Sequence, residues 1–391
     1  MGAAVMATQS TGAGRFAGFD LSRVPSPCFV IDEVKLRENL SLIADISQAS
    51  NARILMALKA FSMWSLAPLI SDYLHGCCAS GLWEAKLARA HFAGLLGSYA
   101  PAYKPSEAEE IAALSDHMIF NTPQQLARFG DMARRQGAAL GMRVNPEHSE
   151  GEIAKYDPCA AGSRLGSPVS QLDAAALAGV EGVHMHSLCE QHFAPLERTV
   201  AAIAPLLDSA KGQLGWLNLG GGHLLSHPDY DRSGLVALLR DLADKYGVQL
   251  YLEPGAAVVF DAGILVGEVL DVMDNDGVLA ITDISASCHM PDVLEAPYRP
   301  ALLGEPKNAG MAVRLGGPTC LAGDVIGTYH FDSVPRAGQR LAFLDQAHYS
   351  MVKTTTFNGV GLPALAIWNS DSDALRMVRQ FDYSDFEGRL S

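Results

Sequence analysis

A chain of 391 residues that is 49% hydrophobic is longer than one ordinary domain of about 100–200 residues, so two domains, one of them large, are expected. Its formal charge of -14 makes a surface that repels polyanions, which speaks against nucleic acid and favours small cationic molecules. Seven cysteines without a CxxC pair exclude a disulfide scaffold and a structural zinc and fit a reduced cytoplasm, and no apolar run approaches the roughly 18 residues of a membrane-spanning helix.

The first twenty residues are rich in small side chains and lack a basic stretch followed by an apolar one, so no secretory signal is expected and residues 1–20 read as a loose N-terminal extension. From about Pro27 to Pro254, short apolar runs alternate with longer helical stretches, the pattern of consecutive βα units. The runs are CFVID, ARILMALKA, HGCCAS, HMIFN, ALGMRVN, GVHMHSL, GWLNLGG and QLYLEPG. Helical spacing fills residues 82–88, 124–135, 196–207 and 234–246. Eight such units predict an α/β fold, a (β/α)8 TIM-like barrel over residues 21–259, close to the usual length of about 250. After Glu253-Pro254-Gly255 the texture changes. AVVFDAGILVGEVLDVM, GVLAITDIS, AVRLGGPTC and QRLAFLDQA are strand-like and separated by Gly, Pro and Asp turns, so residues 260–391 read as a mainly β domain, a sandwich or small barrel. The N-terminal 25 residues could contribute to it.

In such a barrel the catalytic groups sit where strands run out into βα loops, and several polar residues stand out there. Lys59 closes the apolar run Ile54-Leu55-Met56-Ala57-Leu58. It is either a lysine snorkelling from the barrel rim or a Schiff-base lysine, which needs a desolvated setting to expose its nucleophilic nitrogen. His184 and His186 share one face of their strand by the period of two. They could ligate zinc, with His192, His223 and His227 as further candidates, or His186 could lie flat against a cofactor ring. Gly220, Gly221 and Gly222 follow the strand Trp216-Leu217-Asn218-Leu219. They make either a flexible turn or a loop whose successive N–H groups converge on a phosphate. Glu253 ends Leu250-Tyr251-Leu252. A carboxylate there needs a partner, which is either an ordinary cation or a protonated pyridine nitrogen.

In this order the chain resembles the fold-type III pyridoxal-phosphate (PLP) decarboxylases, the group of the ornithine, arginine and diaminopimelate decarboxylases, with the alanine racemase-like fold. The resemblance covers about residues 25–360. It is carried by Pro25-Ser26-Pro27, the Lys59 strand, Cys78-Ala79-Ser80, His186, the three glycines, Glu253-Pro254-Gly255, Gly317-Pro318-Thr319-Cys320, Tyr349 and Phe357-Asn358-Gly359. Tyr156-Asp157-Pro158-Cys159, Ser163-Arg164-Leu165-Gly166, His184 through Glu190, His289-Met290-Pro291-Asp292-Val293-Leu294-Glu295, Tyr298-Arg299-Pro300 and Cys320-Leu321-Ala322-Gly323-Asp324 look like the carboxynorspermidine/carboxyspermidine decarboxylases.

The resemblance implies PLP on Lys59, His186 stacked on the ring and Glu253 at the pyridinium. It implies that Gly220, Gly221, Gly222 and Tyr349 hold the phosphate. It also implies a cytoplasmic homodimer with shared active sites, into which Cys320 of one subunit reaches as proton donor. The substrate would be a small cationic amino acid, a carboxylated triamine, with Arg164, Asp292 and Glu295 as contacts and Asp283 as a further choice for its tail. Asp292 on its own could equally be a solvated turn acid. Two departures matter: Leu321 stands where ornithine and diaminopimelate enzymes have an acid, and Ala256 stands where many relatives have Arg, which opens space for substrate. The alternatives are a diaminopimelate decarboxylase, a zinc-dependent barrel hydrolase and a catalytically silent paralogue.

Overall fold

The computed structural model describes residues 8–151, 153–296, 298–306 and 310–391; the first seven residues of the N-terminal extension lie outside the described residues. The chain forms two compact units, Glu38–Val258 and Met1–Arg37 with Val259–Ser391. Strand β1 (Cys28–Asp32) belongs to the second of these, and α1 (Glu33–Ser50) carries the chain into the first.

The unit Glu38–Val258 is a closed parallel barrel. Its strands are β2 (Arg53–Ala57), β3 (Gly76–Ala79), β4 (Leu95–Tyr99), β5 (His117–Phe120), β6 (Ala139–Asn145) with the two-residue β7 (Ser167–Pro168) beside it, β8 (Gly182–His184), β9 (Trp216–Asn218) and β10 (Gln249–Leu252). The order β5-β4-β3-β2-β10-β9-β8-β6 closes by pairing of β5 with β6. The helices between the strands are α2 (Ala67–Ser71), α3 (Leu82–His91), α4 (Pro105–Leu114), α5 (Pro123–Arg135), α6 (Phe193–Ser209) and α7 (Arg232–Tyr246). Their starts follow local chemistry. Thr122 accepts from the Gln125 N–H ahead of Pro123, and Asp231 accepts from the Gly234 N–H, while α7 stops at Gly247 in the left-handed region.

Trp216, at the first position of β9, fills the barrel interior with Leu55, Ile119 and Tyr251 and stacks on His117 at 4.6 Å. A Cβ at Gly182 or Gly141 on the two preceding strands would fall 1.9 or 2.3 Å from its ring, so glycine there makes room for the indole. This apolar layer lies at the start of the strands and leaves their far ends to polar groups.

One strand differs from expectation. The eighth barrel strand is Leu95–Tyr99, whose Gly97 and Ser98 weaken its β pattern, and not Cys28–Asp32. An isolated apolar run carries no record of which sheet will take it.

In the other unit β1 pairs antiparallel with β11 (Gly263–Asp274) and parallel with a late strand. The mixed sheet also contains β12 (Val278–Thr282), β13 (Met311–Gly316), β14 (Val325–Phe331), β15 (Arg340–Leu344), β16 (Ala364–Asn369) and β17 (Ala374–Arg379), in the order β14-β13-β12-β11-β1-β16-β17 with β15 on β11. Phe29, Leu265 and Phe343 enter one apolar cluster, and Cys28, Val30, Ile264, Val266, Ala342 and Leu344 enter another. With both faces covered, these strands read as continuous apolar runs instead of alternating ones. The N-terminal stretch expected to be loose is packed where it is described: the rings of Phe16 and Phe19 lie 5.4 and 4.9 Å from that of Trp368. Arg15 and Arg23 pair with Asp371 and Asp373.

Candidate functional site

The C-terminal ends of the barrel strands bring four of the expected residues together. Lys59 follows β2 by two positions, and its Nζ lies 3.4 Å from Nε2 of His186, just beyond β8. The neighbouring main chain is drawn in by hydrogen bonds from the Ala57 N–H to Pro254 O and from the Leu58 N–H to Cys78 O. The Gly221 N–H donates to Nδ1 of His186 at 2.9 Å. Burial, and then the charges of Lys59 and Arg143, push the His186 pKa well below its ordinary value. The ring is neutral, with its proton on Nε2 on the side of Lys59.

Glu253, the first residue after β10, is nearly buried. The Asn218 side-chain amide donates to Oε1 at 2.7 Å and Nε2 of His184 lies 3.2 Å from Oε2. Burial raises its pKa, but the His184 and Asn218 interactions and the charge of Lys59 outweigh this and hold it down at about 2. The result is an ionised carboxylate at the end of its strand, with lone pairs to spare for a cation.

Two of the three glycine amides have partners within the protein. The Gly220 N–H is taken by Asn218 Oδ1 at 2.9 Å and that of Gly221 by His186. The glycines are required by close approach. A Cβ at 220, 221 or 222 would lie 2.4 Å from Met185 O, 2.1 Å from Glu253 O or 2.0 Å from Leu188 O. Gly220 and Gly222 also have φ of 69° and 82°. Among the described residues the Gly222 amide alone of the three has no internal acceptor.

The remaining expected residues fall into two groups. In the barrel unit Ala256 is half-buried, and Arg164 is exposed with its carbonyl held by the Asn121 side chain. In the other unit Cys320 is exposed, and its N–H donates to Asn358 Oδ1 at 2.8 Å. Asp324 fastens the same loop by accepting from the Thr319 and Ser285 hydroxyls. Tyr349 is half-buried at φ 50°. Asp292 and Glu295, the ends of a short helix, are not free acids: Nζ of Lys353 reaches them at 2.5 and 2.7 Å. Burial of Lys353 favours the neutral amine, but both carboxylates outweigh it and raise its pKa. Asp283 accepts from the Glu268 N–H of β11, and burial raises its pKa.

Four contributors escaped the sequence reading: Tyr99, Arg143, Asn218 and Lys353. Arg143 is buried, donates to His186 O and lies 4.4 Å from the centre of the Tyr99 ring. Its signal was an arginine inside the apolar run ALGMRVN, and that of Asn218 was an amide inside GWLNLGG. The paired histidines do not act as one ligand set, since His184 serves Glu253 and His186 serves Gly221 and Lys59.

Comparison with known proteins accords with this geometry. The sequence profile of the family "Pyridoxal-dependent decarboxylase, C-terminal sheet domain" matches residues 28–347. A carboxynorspermidine/carboxyspermidine decarboxylase of Campylobacter jejuni is 39% identical over 380 residues, covering 94% of this chain and 99% of that protein. A carboxyaminopropylagmatine decarboxylase of Synechocystis is 38% identical, covering 95% and 96%. The crystal structure of a Campylobacter jejuni carboxynorspermidine decarboxylase in complex with norspermidine superposes with a TM-score of 0.85 at 38% identity, covering 94% of this chain and all of that one. Among the described residues no helix is long and apolar enough to cross a membrane.

Proposed function

The chain belongs to the pyridoxal-dependent decarboxylases, and from that premise we propose that this PLP-dependent carboxy-lyase converts carboxynorspermidine or carboxyspermidine to the corresponding triamine. The observation that carries the reading is Glu253, a nearly buried carboxylate kept ionised near pKa 2 at the same strand ends that bring Lys59 to His186. A cationic ring nitrogen suits that carboxylate, which has lone pairs left beyond its bonds to His184 and Asn218. The residues therefore fit PLP.

Bound PLP supplies a sink for the electron pair left when the carboxylate departs as CO2. Lys59 provides the tethering amine and His186 an uncharged flat face. Glu253 keeps a proton on the ring nitrogen, which strengthens the sink. The loop of Gly220, Gly221 and Gly222, together with Tyr349, would hold the phosphate. Cys320 of the partner subunit delivers the proton to Cα in a homodimer. Asp292 and Glu295, which both reach Lys353, are the acids assigned to an ammonium of the substrate tail, and Ala256 and Arg164 border the substrate. The enzyme works in the cytoplasm as part of polyamine synthesis.

The Synechocystis relative favours one second reading, a carboxylated substrate with a guanidinium tail. The deciding measurement is kcat/KM for carboxynorspermidine, carboxyspermidine, carboxyaminopropylagmatine, diaminopimelate and ornithine. A carboxylated triamine should exceed diaminopimelate and ornithine by at least about 100-fold, roughly 2.8 kcal/mol. Preference for diaminopimelate or ornithine would refute the assignment. A lead for carboxyaminopropylagmatine would replace the triamine with the guanidinium substrate.

A further inference from the structure

Glu253 owes its orientation to a neighbour with an unusual hydrogen-bonding state. His184 closes β8 and is buried, with one nitrogen, Nε2, 3.2 Å from Glu253 Oε2. Its other nitrogen, Nδ1, is buried with no partner among the described residues. A proton on Nδ1 would be a buried donor without an acceptor, a loss of about 1–3 kcal/mol. A bare Nε2 would turn its lone pair towards the carboxylate. Only the neutral ring with its proton on Nε2 satisfies both ends, and burial, which lowers the His184 pKa, acts in the same direction.

The plane of the ring is also fixed. His184 stacks on Tyr99 with centroids 5.6 Å apart and 18° between the planes. Tyr99 is held in turn by its hydroxyl, which donates to Asn121 Oδ1 at 2.6 Å, and by the Arg143 guanidinium over its ring.

We propose that His184 is the positioning residue of Glu253: clamped on Tyr99 as the neutral Nε2–H form, it fixes the carboxylate and keeps it ionised without neutralising it. The inference rests on the pairing of Glu253 with the ring nitrogen. Asn218 fixes Oε1 and His184 fixes Oε2, so the carboxylate has no rotation left, and the remaining lone pairs are available to the cofactor. An uncharged donor matters because a lysine or arginine in its place would compete with the pyridinium for the same negative charge. The other titratable groups around the carboxylate are Lys59 beyond β2, Cys78 on β3, His117 on β5 and Arg143 on β6; none of them makes a hydrogen bond to it among the described contacts.

The test begins without cofactor. Nitrogen-15 NMR of the wild-type apoprotein should show His184 as the neutral Nε2–H tautomer from pH 5.5 to 9. An Nδ1–H tautomer or an imidazolium in that range overturns the proposal. Carbon-13 NMR of the Glu253 carboxyl should then show its ionisation weakened at least tenfold in His184→Phe, which keeps an aromatic ring for Tyr99 but has no donor. His184→Gln, which restores an N–H, should recover most of the shift. Unchanged titration in a folded His184→Phe protein also overturns the proposal. In the holoenzyme His184→Phe should lower kcat at least tenfold at nearly constant KM, with His184→Gln rescuing it, whereas a merely structural role would show as lost fold or occupancy without that rescue. The NMR readouts need no PLP, so their failure belongs to this inference alone, while normal turnover of Glu253→Gln at full occupancy would instead remove the ring-nitrogen reading.

Discussion

A carboxylate taken out of water is normally driven to protonate, and burial does raise the Glu253 pKa; His184, by its charge in acid and by its hydrogen bond, then the Asn218 amide and the charge of Lys59, reverse the balance and leave it at about 2. The folded value lies below the roughly 4.3 of an unfolded glutamate. Its ionisation therefore contributes stability that is fully present above about pH 4.3 and is lost as the pH falls towards 2. Replacing the group should remove that dependence: the difference in Tm between wild-type and Glu253→Gln apoproteins is expected to shrink from pH 5 to pH 2.5, as circular dichroism would measure. The same variant should keep PLP but lose turnover by roughly 100-fold or more, the scale of removing one preorganised electrostatic group. A neutral amide cannot hold the ring nitrogen protonated. Turnover near normal at full PLP occupancy would reduce Glu253 to a structural ion-pair partner.

Short elements set the rest of the chemistry. The four-residue helix Asp292–Glu295 presents two acids to Lys353. If the tail ammonium of the substrate is held there, Asp292→Asn leaves Glu295 to neutralise Lys353 and should raise KM roughly tenfold, about 1.4 kcal/mol. Lys353→Met should lower KM, because it releases the carboxylates to the substrate. The informative measurement is KM for the triamine in both variants, at low and high salt. Equal KM in both would move the tail to another part of the protein. The loop that carries Cys320 shows the same economy of parts, since Asn358 and Asp324 fix its main chain and leave the thiol exposed.

For the whole molecule the proposal of a shared site makes the subunit incomplete by itself. Lys59→Ala and Cys320→Ala proteins should each be inactive, and mixing them under conditions of subunit exchange should restore activity, up to about a quarter of wild type, because half the dimers are mixed and each contains one intact site. Exchange verified by mass spectrometry without any rescue would place both residues in one chain.

Much of this was legible in the sequence because it is written in local chemistry. Seven of the eight barrel strands, the four helical stretches and the change to β texture after Glu253 follow from short-range periodicity, which burial on one or both faces imposes directly. Lys59, His186 and Glu253 stood out for the same reason, as polar residues ending apolar runs. What remained hidden depends on long-range pairing. Cys28–Asp32 and Leu95–Tyr99 are both short runs, and only sheet closure decides that the second enters the barrel and the first joins β11 and β16. Phe16 and Phe19 looked like part of a loose extension until Trp368, some 350 residues on, gave them a surface to cover. Which groups meet the amides of Gly220 and Gly221, namely Asn218 and His186, and which cation meets the acids of the Asp292 helix, namely Lys353, could not be read locally. Sequence determined which residues carry charge and which segments bury themselves, since both follow from the side chain and its near neighbours. Tertiary structure alone decided which partner each charge and each amide meets, because hydrogen bonds and ion pairs act over a few ångströms and the partners are separated by tens to hundreds of residues.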